Sequence, residues 1–371
     1  MAFAALAWFG PIAYSDSDLV ATGQSRYPTI ANLVNDAIQS GQTPGAVVVV
    51  ASSEQILYAQ SFGDRQVLPH TEPMTLETVF DLASITKPLA TGTSIMTLVD
   101  AGKIDVGQPV ARYLPEFGQH GKESITVAEL LLHTSGLIPD NPLSDYQQGA
   151  ALAWQQICDL KLRAPPGTKF AYSDVGFIVL GKLVQQVSGK PLDAFARETI
   201  FEPLGMRETT YNPVPKLRVR AAATQQRDGD WIKGVVHDPR AHLLDGVAGH
   251  AGVFSTAADL VRYGRVMLSR GSDANTKLFS PSTYEQMIQP RDVLRGTRTY
   301  SWDHRSPYSS NRGTSFSDAA FGHGGFTGTV LWIDPDKDLV FIFLSTRLHP
   351  DGKGNVNTLA GKIASVVGET K

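Results

Sequence analysis

Strand-like segments at both ends of the sequence, with helical segments between them, constrain the fold more than any other feature. The valine-rich run 46–51 predicts a buried strand, and a second strand follows at 56–62. Near the other end, 329–333 and 339–344 predict a pair of strands with turn-forming residues between them. The economical arrangement is an α+β fold, in which one antiparallel sheet is built from both termini and carries packed helices.

The rest of the chain has mostly the apolar periodicity of helices, which predicts helices over 30–38, 89–101, 127–133, 177–188 and 357–367. Segment 207–250 has no clear pattern. We predict one catalytic domain over 24–371 with two lobes: an α/β lobe of about 24–82 and 250–371, and an inserted, mostly helical lobe of about 83–249. Functional chemistry is expected in the groove between the lobes.

Charge and cysteine content exclude several classes of protein. The 371 residues include 33 Lys and Arg against 36 Asp and Glu, without a basic run, so nucleic acid is not expected as a partner. The single cysteine, Cys158, allows neither an internal disulfide nor a cysteine metal cluster, and it is predicted to be a core residue in a helix over 152–162. None of the nine histidines has HExxH spacing, and we predict neither a bound metal nor a cofactor.

The N-terminus does not settle the location of the protein. Residues 2–13 are apolar, but the first basic residue is Arg26, so the basic region that precedes the apolar part of a secretory leader is missing. Residues 1–23 are predicted to be an N-terminal extension or an atypical leader. An apolar run of this length is too short to span a bilayer, so no transmembrane segment is predicted, and a cytoplasmic and an exported location both stay open.

The strongest local motif is S-x-x-K, formed by Ser84 and Lys87 directly ahead of an apolar helix. Residues i and i+3 share a helix face, so the Lys87 ammonium can reach the Ser84 hydroxyl. A serine needs a base to become a good nucleophile, and the helix N-terminus together with burial is expected to lower the lysine pKa and so make it that base. The alternative is a serine cap followed by a solvated lysine.

Two later segments carry further candidate residues. Tyr172 lies on a loop before the 177–188 helix, where it could relay a proton; alternatively it anchors the loop, with Asp174 as the helix cap. Segment 321–329 is rich in glycine and contains His323, Gly324 and Gly325. Glycines allow close approach of a ligand, and an N–H group on such a strand can donate to an oxyanion. The alternative is a flexible turn with a bystander histidine.

Together, the three motifs resemble the serine β-lactamase and penicillin-binding-protein superfamily in order and spacing. The resemblance is to its class C-like branch, which includes D-peptidases, muropeptide amidases and family VIII-type esterases, and it extends over about residues 28–365. Further family-like segments are 133–137, 165–167, 203–206 and 249–256. The resemblance implies a β-lactamase/transpeptidase-like fold.

The resemblance also implies roles for the motif residues. Ser84 would be the nucleophile, Lys87 its partner base and Tyr172 the second acid/base. The backbone N–H groups of Ser84 and Phe326 would form the oxyanion hole. His323, Gly324 and Gly325 would bind substrate, as would Asp174.

Two departures from the family pattern argue against an efficient β-lactamase. Asp174 stands where the family usually has asparagine, which places a carboxylate beside the substrate's acylamide. His323 stands where many relatives have lysine, and a histidine is expected to titrate near neutrality.

The segment around His237, Asp238 and His250 resembles a sub-branch of penicillin-binding-like proteins and muropeptide-processing amidases. His237, Asp238 or His250 could line the cleft and bind a polar substrate, with His250 as the candidate substrate-binding residue; the alternative is a rigid loop whose histidine bonds backbone groups. A metal at these three residues is not expected, because S-x-x-K chemistry needs none. Four aromatic residues could form a wall for an acyl or sugar group, or could serve as core and loop anchors: Trp231, Tyr300, Trp302 and Tyr308.

The resulting functional prediction is a serine hydrolase that acts through an acyl-enzyme on a small amide or peptide related to peptidoglycan. One alternative is a carboxylesterase for short acyl esters. Another is a slow-turnover penicillin-binding or sensor protein. In each case the partner is a small molecule.

Overall fold

The computed structural model describes residues 19–272 and 276–369. Its strands, in chain order, are β1 (Gly45–Ala51), β2 (Ile56–Gln66), β3 (Glu72–Pro73), β4 (Phe80–Asp81), β5 (Thr210–Tyr211), β6 (Ala223–Arg227), β7 (Asp230–Lys233), β8 (Val253–Ser255), β9 (Arg291–Val293), β10 (Gly296–Arg298), β11 (Asp303–Arg305), β12 (Phe321–Gly325), β13 (Thr329–Asp334) and β14 (Leu339–Ser345). Its α-helices are α1 (Pro28–Gln39), α2 (Thr93–Asp100), α3 (Val127–Leu131), α4 (Ala150–Asp159), α5 (Asp174–Ser188), α6 (Leu192–Ala196), α7 (Pro215–Arg218), α8 (Pro239–Leu243), α9 (Ala257–Leu268), α10 (Pro281–Ile288) and α11 (Asn357–Glu369).

One sheet joins the two ends of the chain. Its nine strands follow the order β3-β2-β1-β14-β13-β12-β11-β10-β9, and neighbouring strands are antiparallel. At its centre, Val48 lies opposite Phe343 on one side and Gln60 on the other. The α+β fold with a sheet built from both termini is therefore confirmed.

Helices cover both faces of this sheet. Because side chains alternate along a strand, Val48 and Val50 pack in one core with residues of α1 and α11, whereas Val47 and Val49 join the opposite core. This opposite core continues through α9, α2 and α5. Every residue of β1 is consequently buried, which explains its unbroken apolar sequence.

The predicted helices are present, with one change of geometry. Residues Lys87–Gly92 form π-helical turns that continue into α2, so the 89–101 segment is not one regular α-helix. The unclear segment 207–250 contains two short helices, one strand of the sheet β4-β8-β5 and the hairpin β6–β7. Cys158 is buried in α4, as predicted.

Within the described ranges, every helix falls short of the length and apolarity that crossing a membrane requires. The predicted N-terminal extension lies largely outside the described residues. The proposed lobe boundaries stay a prediction.

Candidate active site

Ser84 follows a strained turn at the end of β4. Ala83 has φ +46°, a left-handed conformation that is unfavourable for a residue with a Cβ. The Asp81 carboxylate holds the turn, because it accepts hydrogen bonds from the N–H groups of Ala83 at 2.9 Å and His237 at 2.7 Å. Burial raises the pKa of Asp81 to about 6, against the effect of these bonds. The backbone at Ser84 is thus fixed by a buried carboxylate.

Lys87 is buried and lies among several oxygens. Its Nζ donates to Ser84 Oγ at 2.9 Å and to the His250 carbonyl at 3.2 Å, and it lies 2.7 Å from Asp174 Oδ1. Burial by itself lowers the pKa of Lys87, but the Asp174 carboxylate and the Tyr172 hydroxyl outweigh it and raise this pKa above its usual value. The expectation of a lowered lysine pKa is therefore wrong, because the ion pair compensates the buried charge.

Tyr172 is held between two rings. Its ring centroid lies 4.4 Å from that of His133 and 4.9 Å from that of Tyr308. Burial raises the pKa of Tyr172, although its hydrogen bonds to Lys87 and Ser84 oppose this. At neutral pH the resting site therefore contains a cationic Lys87 and a neutral Tyr172.

The start of α5 sets the positions of Tyr172 and Asp174. Ser173 caps this helix by accepting from the Gly176 N–H group at 3.1 Å, and Asp174 is the first helical residue. The alternative interpretation of Asp174 as the helix cap is therefore wrong, and its carboxylate is free to contact Lys87. His133 fixes the same segment, since its Nδ1 accepts from the Ser173 N–H group at 3.0 Å.

Sequence reasoning placed His133 in a family-like segment without giving it a role. Its buried ring lies under Tyr172. The sequence feature that could have pointed to His133 is its position in a family-like segment that precedes the Tyr172 loop.

The glycine-rich strand β12 packs against the turn that carries Ser84. Thr327 Oγ1 donates to the Asp81 carbonyl at 2.7 Å, and Thr329 Oγ1 donates to the Leu82 carbonyl at 3.1 Å. A Cβ on Gly325 would come within 2.4 Å of that same carbonyl oxygen, so only glycine allows this approach. Phe326 follows directly, and the oxyanion role of its N–H group stays a prediction.

His323 lies in the wall of the same cleft and is 4% exposed. Its Nδ1 lies 2.8 Å from the Gly324 carbonyl, so the ring proton is on Nδ1 and the lone pair is on Nε2. Burial, together with the charges of Arg298 and Lys87, lowers the pKa of His323 well below its usual value. The expectation that His323 titrates near neutrality is wrong, because its ring is enclosed beside two cations.

His250 and Asp238 complete the group behind Lys87. His250 Nε2 lies 2.9 Å from Asp238 Oδ1, while its carbonyl contacts Lys87. Burial would raise the pKa of Asp238, but the His250 ring outweighs it and lowers this pKa below its usual range. Ligand atoms of Asp174, Asp238 and His250 lie within 4.8 Å of one another and could reach one metal ion. A metal bound to Asp174 Oδ1 would lie next to the Lys87 ammonium, which is the cation that already pairs with that oxygen.

A cavity of about 530 Å³ opens in front of Ser84, a volume suited to a small substrate. Its wall includes Ser84, Tyr172, Arg298, Asp303, Tyr308, His323, Gly324, Gly325, Phe326, Arg347 and Lys353. Of the four candidate wall aromatics, Tyr308 lines the cavity and is half exposed, whereas Tyr300 and Trp302 are buried. Trp231 packs against His349. Of the four residues predicted to form an aromatic wall, Tyr308 is thus the one that lines this cavity.

The fold and the site define a class of protein: an α+β hydrolase in which a serine lies beside a buried lysine and a tyrosine. The chain belongs to the beta-lactamase family, since the family model "Beta-lactamase" matches residues 30–365. It is a serine hydrolase of this family, and the predicted resemblance is confirmed.

Two relatives and one solved structure show the range of this similarity. The chain is 34% identical over 358 residues to N-acetylmuramyl-L-alanine amidase of Bacillus subtilis (strain 168), covering 86% of this chain and 81% of the relative. It is 30% identical over 370 residues to a protein of Salmonella agona (strain SL483) named "Putative D-alanyl-D-alanine carboxypeptidase", covering 90% and 85%. A penicillin-binding protein homologue from Caulobacter crescentus has the same fold, with a TM-score of 0.74, 19% identity and coverage of 93% and 98%.

Proposed function

We propose that this protein hydrolyses a small amide related to peptidoglycan through an acyl-enzyme on Ser84. The observation that carries the proposal is the 2.9 Å contact between Ser84 Oγ and Lys87 Nζ at the wall of the cavity. The similarity to an N-acetylmuramyl-L-alanine amidase supports an amide as substrate.

The charge state of the site suggests where the serine proton goes. Because Lys87 is cationic at rest, it must release a proton before it can accept one, and Asp174 Oδ1 lies 2.7 Å away. As Ser84 Oγ bonds to the substrate carbonyl carbon, its proton passes to Lys87 while Lys87 passes one to Asp174. The backbone N–H groups of Ser84 and Phe326 hold the oxyanion.

Tyr172 acts as the general acid for the leaving group. It donates its phenolic proton to the leaving nitrogen as the carbon–nitrogen bond breaks, which leaves the acyl group on Ser84. Water then gives a proton to the Tyr172 oxygen and bonds to the acyl carbon. Ser84 leaves with a proton from Lys87, which recovers its own from Asp174, so every group returns to its resting state.

The test compares Ser84→Ala with Ser282→Ala, which changes an exposed serine on α10. Ser84→Ala should abolish labelling by a fluorophosphonate probe and lower turnover of muramyl-L-alanine amides by roughly 10³-fold or more. Ser282→Ala should leave both unchanged. Normal labelling of Ser84→Ala would exclude Ser84 as the nucleophile.

Substrate comparison separates the proposal from its alternatives. Turnover of p-nitrophenyl esters without any amide turnover would indicate a carboxylesterase. A stable acyl adduct, detected by intact mass with neither turnover, would indicate a sensor or penicillin-binding role. Either result would overturn the amidase assignment while leaving Ser84 as the acylated residue.

A further inference from the structure

Asp81, the last residue of β4, is a buried carboxylate whose hydrogen-bond donors are backbone groups. Its Oδ1 accepts from the Ala83 N–H group at 2.9 Å, and its Oδ2 accepts from the His237 N–H group at 2.7 Å. Burial is the largest influence on the pKa of Asp81, whereas the Arg227 guanidinium has the smallest influence in the opposite direction. The buried charge is therefore stabilised mainly by these two N–H groups, and burying a charge in this way costs free energy.

A neutral side chain would avoid this cost but could not make both bonds. Asparagine has one acceptor oxygen and an amide group that only donates, whereas an ionised carboxylate has two acceptor oxygens and no donor. A carboxylate at position 81 can therefore hold two backbone segments at once. One is the strained turn directly before Ser84, and the other is the segment that contains His237.

The backbone of the same turn holds the segment that carries the second expected oxyanion donor. Thr327 Oγ1 donates to the Asp81 carbonyl at 2.7 Å, and Thr327 is itself buried. Phe326 directly precedes Thr327 in the chain, so this bond fixes the peptide next to the Phe326 N–H group relative to the turn before Ser84.

The His237 ring provides a second contact to Phe326. The two ring centroids lie 5.7 Å apart with an interplanar angle of 28°, and His237 Nε2 lies 2.7 Å from Gln225 Oε1, which orients the imidazole. Arg347 holds the Phe326 carbonyl, because its Nε–H group donates to that oxygen at 2.7 Å. The position of Phe326 thus depends in part on a segment whose backbone is bound to Asp81.

We propose that Asp81 is a positioning residue that orients both donors of the oxyanion hole, the N–H groups of Ser84 and Phe326. It acts on the first through the turn before the serine, and on the second through the threonine hydroxyl and the stacked imidazole. The inference rests on the proposed function, because it concerns the donors that the proposed acyl transfer uses. Such donors stabilise the transition state only when they are held at hydrogen-bond distance from the position of the oxyanion, so their orientation affects the rate directly.

The experiment compares two esters that differ at one atom, p-nitrophenyl acetate and O-(p-nitrophenyl) thionoacetate. Sulfur is a weak hydrogen-bond acceptor, so the thionoester gains little from an oxyanion hole. Asp81→Asn replaces one acceptor by a donor that faces an N–H group. It should lower the rate constant for acylation by the oxygen ester by about 10- to 100-fold, and that for the thionoester by less than about 3-fold. Release of p-nitrophenolate measures both rates at about pH 8, where the carboxylate is charged.

Asp100→Asn is the matched control. Asp100 is the last residue of α2, and its carboxylate likewise accepts from a backbone N–H group, that of Ser280 at 2.9 Å, but it does not line the cavity. This variant should leave the ratio of the two rate constants unchanged.

A second pair of variants tests the Phe326 donor without changing the carboxylate. Thr327→Val removes the hydroxyl and keeps the shape of the side chain, so the ratio should fall in the same direction as in Asp81→Asn. Thr327→Ser keeps the hydroxyl and should retain the ratio of the unmodified enzyme. If Asp81→Asn does not fold, this pair decides the result.

Equal losses for the two esters, or an unchanged ratio, would mean a purely structural role and would overturn the inference. Failure of the proposed function would look different. In that case neither ester would acylate the unmodified enzyme, and the fluorophosphonate probe would not label Ser84.

Discussion

At the scale of single residues, Asp174 controls the charges of the catalytic group. Its Oδ1 lies 2.7 Å from Lys87 Nζ, and its charge raises the pKa of both Lys87 and Tyr172. An asparagine at this position would keep the shape of the side chain and remove that charge. The Asp174 carboxylate therefore influences the protonation states of both Lys87 and Tyr172.

Asp174→Asn should move the falling limb of the pH profile of kcat/KM, where Lys87 and Tyr172 lose the protons they carry at rest, to lower pH by roughly one unit. The direction follows from the charge: without the carboxylate, the protonated forms of Lys87 and Tyr172 are less favoured, so either group loses its proton at lower pH. The same variant should lower maximal turnover, because Lys87 loses its proton acceptor. The measurement is kcat/KM over a wide pH range with a neutral substrate.

Asp140→Asn is the control for this experiment. Asp140 is partly exposed and pairs with Arg240 at 3.3 Å. Its loss should leave the pH limb in place. An unshifted limb in Asp174→Asn would show that Asp174 does not set the charge of the base.

At the scale of elements, the close contact between segment 246–252 and α5 holds in place the backbone that contacts Lys87. The Gly249 carbonyl accepts from Thr91 Oγ1 at 2.7 Å, and the next carbonyl, of His250, accepts from Lys87. A Cβ on Gly249 would lie 1.9 Å from the Phe177 carbonyl oxygen. The two elements can thus make this contact only with glycine at position 249.

Gly249→Ala should therefore destabilise the fold by about 2 kcal/mol or more, because backbone rather than a mobile side chain blocks the added methyl group. Activity should fall with it, since His250 moves away from Lys87. Urea unfolding monitored by circular dichroism gives the free energy of unfolding.

Gly176→Ala is the matched control, on the first turn of the same helix. Its Cβ would have ordinary contacts, with Leu130 Cδ2 nearest at 3.6 Å. Alanine is also the better helix former, so stability should be unchanged or slightly higher. If both variants unfolded at the same urea concentration, the close approach at Gly249 would not limit stability.

At the scale of the whole molecule, Glu72 connects the edge of the large sheet to the β6–β7 hairpin. Its carboxylate lies 2.9 Å from Arg65 on β2 and 2.6 Å from Lys233 on β7. Burial would raise the pKa of Glu72, but these two cations outweigh it and lower the pKa to about 2. Assembly of the two parts thus adds the Lys233 cation to that of Arg65 and further stabilises the charged carboxylate.

Glu72→Gln should lower the free energy of unfolding at neutral pH by about 1–3 kcal/mol. Because the folded pKa lies below the unfolded value of 4.5, this contribution is complete above that value and is lost as pH falls toward 2. The difference between the two proteins should therefore shrink in acid. Urea unfolding at a series of pH values measures it, with the exposed Glu54→Gln as control; a difference that is constant with pH would contradict the ion-pair explanation.

The sequence by itself determined the elements and the central motif. Alternation and helical periodicity are local properties, so the strands at both termini, the first and last helices and the i, i+3 spacing of Ser84 and Lys87 could be predicted without coordinates. The order of the motifs was also sufficient to predict the family. Short elements with few turns, such as those within 207–250, carry too little periodicity to be predicted.

Only the tertiary structure decided the charges and the contacts of the site. Lys87 is cationic because Asp174, far along the chain, is brought within ion-pair distance, and His323 is neutral because other elements enclose it. A pKa depends on which distant groups meet and how much water they exclude, and no spacing along the chain encodes that.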